Sequence, residues 1–147
     1  MMPGSLTERV VVPLANEDDA TNSLSAIEQW FDPAGTKLTF VHVIEKGGGA
    51  PDKAPLGARE EQADRIFDIV EAHFGSGEFA VETTLRYGTS VTDEVVAVAD
   101  AVDATVIAFT PRDHTILSKL LSGNLTTGIV SNERFPVVVL PPQTDDE

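Results

Sequence analysis

Five short apolar runs, separated by stretches whose apolar residues recur at helical spacing, constrain this chain more than any other feature. RVVVPL at 9–14, KLTFVHVI at 37–44, FAVETTLRY at 79–87, TVIAFT at 105–110 and PVVVL at 136–140 read as strands. Most are nearly all apolar, the mark of strands buried on both faces, while 79–87 alternates with a less complete apolar side. After the first strand, Ala20, Leu24, Ile27 and Phe31 share one helical face with Trp30 beside them. Asp18 or Asp19 is expected to cap that helix, and Asp32-Pro33 with Gly35 to end it. From Ala58 a second helix places Arg59, Ala63, Ile66, Val70 and Phe74 in line, with Phe67 alongside, until Gly-Ser-Gly at 75–77. Ser90 and Asp93 stand at the spacing of a capping box, and Val91, Val95, Val98 and Val102 form the inner face of a third helix. Between the last two strands, Ser122-Gly123-Asn124 followed by Leu125, Thr126 and Thr127 reads as the start of a fourth. The Gly/Pro-rich stretch EKGGGAPDKAPLG after the second strand reads as slack loop.

Strand and helix in alternation imply an α/β fold: one parallel sheet with helices on both faces, joined by right-handed crossovers. No repeat and no break in composition divides the 147 residues, so 1–147 is expected to be a single domain with flexible termini at 1–8 and 142–147. A chain of that length buries roughly 70% of its unfolded surface, enough for a core without disulfide or metal. In such sheets ligands sit beyond the carboxyl ends of the strands, where the strand order reverses. Those ends are Leu14-Ala15-Asn16, Val43-Ile44-Glu45 and Thr110-Pro111-Arg112.

Charge and cysteine content exclude several classes of function. With 24 acidic against 10 basic residues the formal net charge is -14, which repels nucleic acid. The acids are spread along the chain, at Glu17-Asp18-Asp19, Glu60-Glu61, Asp93-Glu94 and Asp145-Asp146-Glu147, so acidity is a property of the whole surface. Abundant acid with scarce lysine is what a salt-adapted cytosol favours, such as that of a halophilic archaeon. The absence of cysteine removes zinc ribbons, redox pairs and thiol nucleophiles. No apolar run approaches the roughly 18 residues of a membrane span, and the N-terminal MMPGSLTERVVVPL lacks the pattern of a signal peptide, so a cytoplasmic location is expected.

Three α/β readings compete, and the strand ends separate them. A response-regulator receiver needs a phospho-accepting Asp after a central strand and a Lys near the last one, but FVHVIE and VVVLPP supply neither. The glycine fingerprints of dinucleotide-binding and P-loop sites are absent. His42, His73 and His114 show no metal-ligand spacing, His42 within FVHVI reads as a satisfied strand residue, and no nucleophile and base pair stands out. No catalytic residue or metal site is therefore expected, and the chain is read as a non-enzyme.

The third reading rests on VVVPLANEDDA, FVHVIE, LRYGTSVTDEVVAVADAVDATVIAFTPR and LSKLLSGNLTTGIVSNERFPVVVLP, which together resemble the universal stress protein family from about Arg9 to Pro141. The resemblance implies an adenine nucleotide alpha hydrolase-like fold with strand order 3-2-1-4-5, paired as a homodimer through the last strand by Val137, Val138, Val139 and Leu140. It also implies an ATP or AMP site, with Mg2+, at Pro13, Ala15, Val43, Phe109, Thr110, Arg112, Asp113, Gly123, Asn124 and Leu125. The match there is degenerate. The nucleotide-binding branch has glycines where this chain has Thr110, Asp113 and Gly123, a hydroxyl where it has Asn124, and an Asp where it has Ala15. Thr110 cannot adopt a glycine-only backbone cheaply, and Asp113 would set a carboxylate beside phosphates. Arg112 and the helix start at Gly123 remain as donors, although the same residues serve equally as a surface salt bridge and a tight helix start. The resemblance thus implies a stress-response regulatory module. The alternatives are a low-affinity ATP/AMP sensor or an accessory regulatory subunit of a transporter or kinase.

Overall fold

The computed structural model describes residues 5–46, 56–75, 77, 79–110 and 134–141. In chain order these form β1 (Arg9–Pro13), α1 (Glu17–Trp30), a 3-10 turn (Pro33–Gly35), β2 (Lys37–Glu45), α2 (Leu56–Phe74), β3 (Ala80–Gly88), α3 (Val91–Ala101), β4 (Val106–Phe109) and β5 (Val137–Val139). Every strand pairing is parallel, as the alternation of elements predicts, and the order across the sheet is β3-β2-β1-β4-β5, as the family resemblance implies. The helix expected between β4 and β5 lies outside the described residues, as does most of the Gly/Pro-rich loop.

Side-chain alternation along the strands explains why they must be apolar at both parities. Val10 and Val12 of β1 pack with Leu38 and Phe40 of β2 beneath α1 and α2, against Leu24, Ile27, Ile66, Val70 and Phe74. Val11, one residue out of phase, joins Val41, Ile107 and Phe109 on the opposite face, beneath Val95 and Val98 of α3. Each fully buried side chain of this size contributes about 1.5–3 kcal/mol, and the buried polar exceptions in β2 are Thr39 and His42. The helices divide between faces because the chain reverses direction across the sheet when it passes from β3 to β4.

Helix ends depart from expectation in instructive ways. Asn16, not Asp18 or Asp19, caps α1: its backbone is extended and its side chain accepts the Asp19 N–H at 2.8 Å. The two aspartates lie inside the first helical turn, where their charge suits the N-terminus. α2 starts at Leu56, two residues before Ala58, and Arg59 leaves the core line to donate to the Glu45 carbonyl at 2.5 Å. Gly75 ends α2, since a Cβ there would stand 2.4 Å from the Glu71 carbonyl oxygen. Ser90 caps α3 as the spacing predicts, accepting from the Asp93 N–H at 3.2 Å. At its other end Asp103 takes φ 55, and Ala104 N–H reaches back to the Ala99 carbonyl at 2.9 Å, a left-handed stop that usually takes glycine.

Candidate functional site

A proline opens the crevice at the centre of the sheet. β1 stays in register with β2 through Pro13, opposite Val41, but its ladder with β4 ends at Val11 opposite Ile107. Arg9 faces β4, where its carbonyl accepts from Thr105 N–H at 2.7 Å, whereas Leu14 N–H turns to β2 and the Val41 carbonyl at 2.8 Å. Successive residues of a strand turn their backbone groups to alternate sides, so the N–H that Pro13 lacks is the one that would have reached β4. Proline is normally kept out of central strands for this reason. Here it frees the ends of β1 and β4 from each other at the point where the strand order reverses, the place where such sheets hold ligands.

Polar groups at the lip of the crevice come from the β1–α1 turn. Ala15 is exposed and its N–H donates to Asp19 Oδ2 at 2.7 Å, while Asn16 Oδ1 accepts from Asp19 N–H. The two contacts form a capping box displaced by one residue, and they set a carboxylate on the amide nearest the crevice mouth. Below it, His42 is buried in β2 with Nδ1 2.7 Å from the Leu14 carbonyl, so Nδ1 carries the proton and the ring braces the turn. His42 is thus the satisfied strand residue that the sequence suggests. On the other side, Phe109 is buried and gives its carbonyl to Leu140 N–H at 2.8 Å, which turns the backbone of Thr110 the opposite way, toward β1. Thr110 is 5% exposed, and its Oγ1 has no hydrogen-bond partner among the described residues. Val43, at the end of β2, is half-buried against the α3 layer.

The structure therefore brings Pro13, Ala15, Val43, Phe109 and Thr110 to the carboxyl ends of neighbouring strands, whereas Arg112, Asp113, Gly123, Asn124 and Leu125 lie outside the described residues. Asp19 was missed as a member of the site, although Asn16 and Asp19 at capping-box spacing carried the signal. Ala15 offers no side-chain acceptor at this mouth, and its amide is already taken by a carboxylate. No group of three or more His, Cys, Asp or Glu able to hold a metal occurs among the described residues. Beside the crevice, Glu17 is held down to about 2, well below its usual 4.5, first by Gln62 Nε2 at 3.0 Å and then by Arg65 Nε at 3.0 Å. At the ends of β2 and β3, Tyr87 donates to Glu60 Oε2 at 2.5 Å, which with the charges of Glu60 and Asp64 raises its pKa, and Lys46 lies 5.7 Å over its ring. An open hollow of about 800 Å³ at the opposite end of the sheet, lined by Arg9, Thr36 and Lys37 among others, is remote from this chemistry.

No helix among the described residues is long and apolar enough to cross a membrane. Residues 7–141 match the universal stress protein family. No curated protein sequence matches the chain. Among solved structures, a universal stress protein family member from Burkholderia pseudomallei is 22% identical with a TM-score of 0.66, the alignment covering 95% of this chain and 99% of that one. The universal stress protein from Archaeoglobus fulgidus in complex with dAMP is 19% identical with a TM-score of 0.59, covering 92% and 99%. A universal stress protein in complex with cAMP is 17% identical with a TM-score of 0.60, covering 95% and 100%. At these identities the likeness is one of fold.

Proposed function

The chain belongs to the universal stress protein family, and from that premise we propose that it is a non-enzymatic stress-response module, homodimeric and salt-adapted, whose crevice holds adenine nucleotides only weakly. The observation that carries this reading is the Asp19 carboxylate on the Ala15 amide. A donor that could face an anion is consumed there by an anion, in a chain of net charge -14. Repulsion between like charges across a crevice is screened less than at an open surface. Calorimetry with ATP and magnesium, at a salt concentration that preserves the fold, tests it. Little or no saturable binding is expected, and a dissociation constant in the low micromolar range overturns the reading. Asp19→Asn, which keeps an acceptor for Ala15 but removes the charge, should bind more tightly than the parent.

We assign the proposed homodimer to β5, the short strand at one edge of the sheet. Val139 is exposed there and Val137 and Val138 are partly buried, while Leu140 is sequestered in its own domain's core and supports the edge from within. Val139→Glu should shift light scattering from dimer to monomer at micromolar concentration, and a parent protein that is monomeric removes this part of the proposal.

A second reading, a low-affinity adenine-nucleotide sensor, draws on Thr110 Oγ1, a buried hydroxyl without a partner among the described residues that a ligand could satisfy. It also draws on the two relatives solved with dAMP and cAMP. Tighter binding of AMP or cAMP than of ATP would favour it, because those ligands carry less negative charge.

A further inference from the structure

The sheet's other edge carries no further strand among the described residues. β3 runs nine residues, Ala80–Gly88, paired without interruption to β2 and to no other described strand. Roughly every second residue of such an edge turns its N–H and C=O outward with no partner. Proteins usually blunt long edges with proline, lysine or a bulge. β3 contains no proline or lysine, and its register is continuous. Its charged residues Glu82 and Arg86 pair with Lys37 at 3.4 Å and Glu94 at 2.9 Å. Both belong to the parity opposite Val81 and Tyr87, whose register partners Leu38 and Ile44 share the parity of Phe40 under α1 and α2.

Above that second parity lies an acidic ridge. On α2, Glu61, Asp64, Asp68 and Glu71 are exposed and recur at i+3 and i+4. At about 100° per residue they fill an arc of about 80° that runs from the outer side of the helix, at Glu61 and Asp68, to the flank away from α1, at Asp64 and Glu71. The α1 side is marked by Gln62, Arg65 and His73, which contact Glu17 and Glu28. The other flank faces β3, where Tyr87 bonds to Glu60 and feels the charge of Asp64. None of the four carboxylates has a hydrogen bond or ion pair among the described residues. Each described lysine and arginine is engaged elsewhere, Lys46 on the Tyr87 ring, Arg59 at Glu45, and Arg9, Lys37, Arg65, Arg86 and Arg134 with acids.

The geometry points to a docking edge for an extended, lysine- or arginine-rich segment of a partner protein, added to the sheet as a sixth strand beside β3 and under the acidic ridge of α2. The spacings agree. Alternate side chains of an extended segment are about 6.6 Å apart, so three of them span about 13 Å. The ridge from Glu61 to Glu71 spans about 15 Å of helix. Backbone pairing would supply much of the affinity and the ridge would select the cationic sequence. A second copy of this chain does not suit the edge, because it would bring one ridge against another and has no spare described cation to offer. This inference is independent of the nucleotide reading.

The test uses the full chain, at the lowest potassium chloride concentration that preserves its circular dichroism, with a fluorescent peptide of alternating lysine and threonine. A second peptide has glutamate in place of lysine. The lysine peptide should bind saturably, more weakly as salt rises, and slow hydrogen exchange at alternate amides of β3, whereas the glutamate peptide should not bind. Asp64→Lys with Asp68→Lys should weaken binding by about tenfold or more. Glu8→Lys with Glu28→Lys, the same change in net charge placed elsewhere, should leave affinity within about twofold of the parent. Three results would each overturn the proposal: no binding, binding without protection of β3, or equal loss in the two double variants. The last would mean that only diffuse surface charge attracts the peptide.

Discussion

Replacing Glu17 with Gln isolates the brace between α1 and α2 that supports the crevice lip. The Glu17 carboxylate receives Gln62 at Oε1 and Arg65 at Oε2, both at 3.0 Å, and these contacts lower its pKa from 4.5 to about 2. That difference corresponds to a ceiling of about 3.4 kcal/mol. The side chain is 35% exposed, so solvent screens the pair, and about 1 kcal/mol is the figure to expect at neutral pH. For a chain of this size it lowers the melting midpoint by about 3 °C. Because the folded-state pKa is the lower one, the contribution is complete above pH 4.5 and is lost as pH falls toward about 2. Urea melts of parent and Glu17→Gln should therefore differ at pH 7 and converge at the acid end. Glu61→Gln controls for relief of general repulsion, since it removes the same charge from an exposed acid without a described partner. A Glu17→Gln gap that persists undiminished at pH 2.5, or that equals the effect of Glu61→Gln at pH 7, would refute the brace.

Three further outcomes follow from the same contacts. His42→Leu leaves the Leu14 carbonyl without its buried donor and should cost about 1–3 kcal/mol in a urea melt, with His42→Gln recovering part of it. Asp103→Asn keeps a residue tolerant of φ 55 and removes a negative charge from the C-terminal end of α3, and should raise stability by about 0.5 kcal/mol by thermal melt. The melting midpoint of the parent should rise with potassium chloride at fixed protein concentration, steeply up to about 1 M as repulsion is screened. A further rise in molar salt would mark strengthened apolar burial or ion binding, and a flat or falling midpoint would remove the salt-adapted reading.

Much of the fold was legible because both layers of the core write themselves into the sequence. Val10, Val11 and Val12 are apolar in succession since each faces a different layer from its neighbour, and that pattern belongs to a central parallel strand. Local end effects were harder. Asn16 and the adjacent acids are all competent caps, and what chooses between them is which residue leaves β1 in extended backbone, a matter of where the strand stops. Arg59 fell on the helical line of the core by spacing alone, but its guanidinium had a carbonyl within reach at the end of β2, and a contact between elements cannot be read from the period of one of them.

The site was legible as a place and not as a chemistry. Alternation of strands and helices put the crevice at the carboxyl ends of β1 and β4, and Pro13 in RVVVPL held the reason it is open, yet the orientation of its missing N–H follows only from which neighbours Arg9 and Leu14 address. The carboxylate at the crevice mouth has the same origin. Counting charges gives -14 wherever they lie. Only the fold shows that Asp19 turns its carboxylate back onto Ala15, so that one of the 24 acids stands at the mouth while many others face water. An exposed acid is screened within about 10 Å at ordinary salt, but Asp19 also holds the Ala15 amide, so its replacement changes the mouth itself. A single substitution at Asp19 should therefore change nucleotide affinity more than removing several acids from the outer faces of the helices.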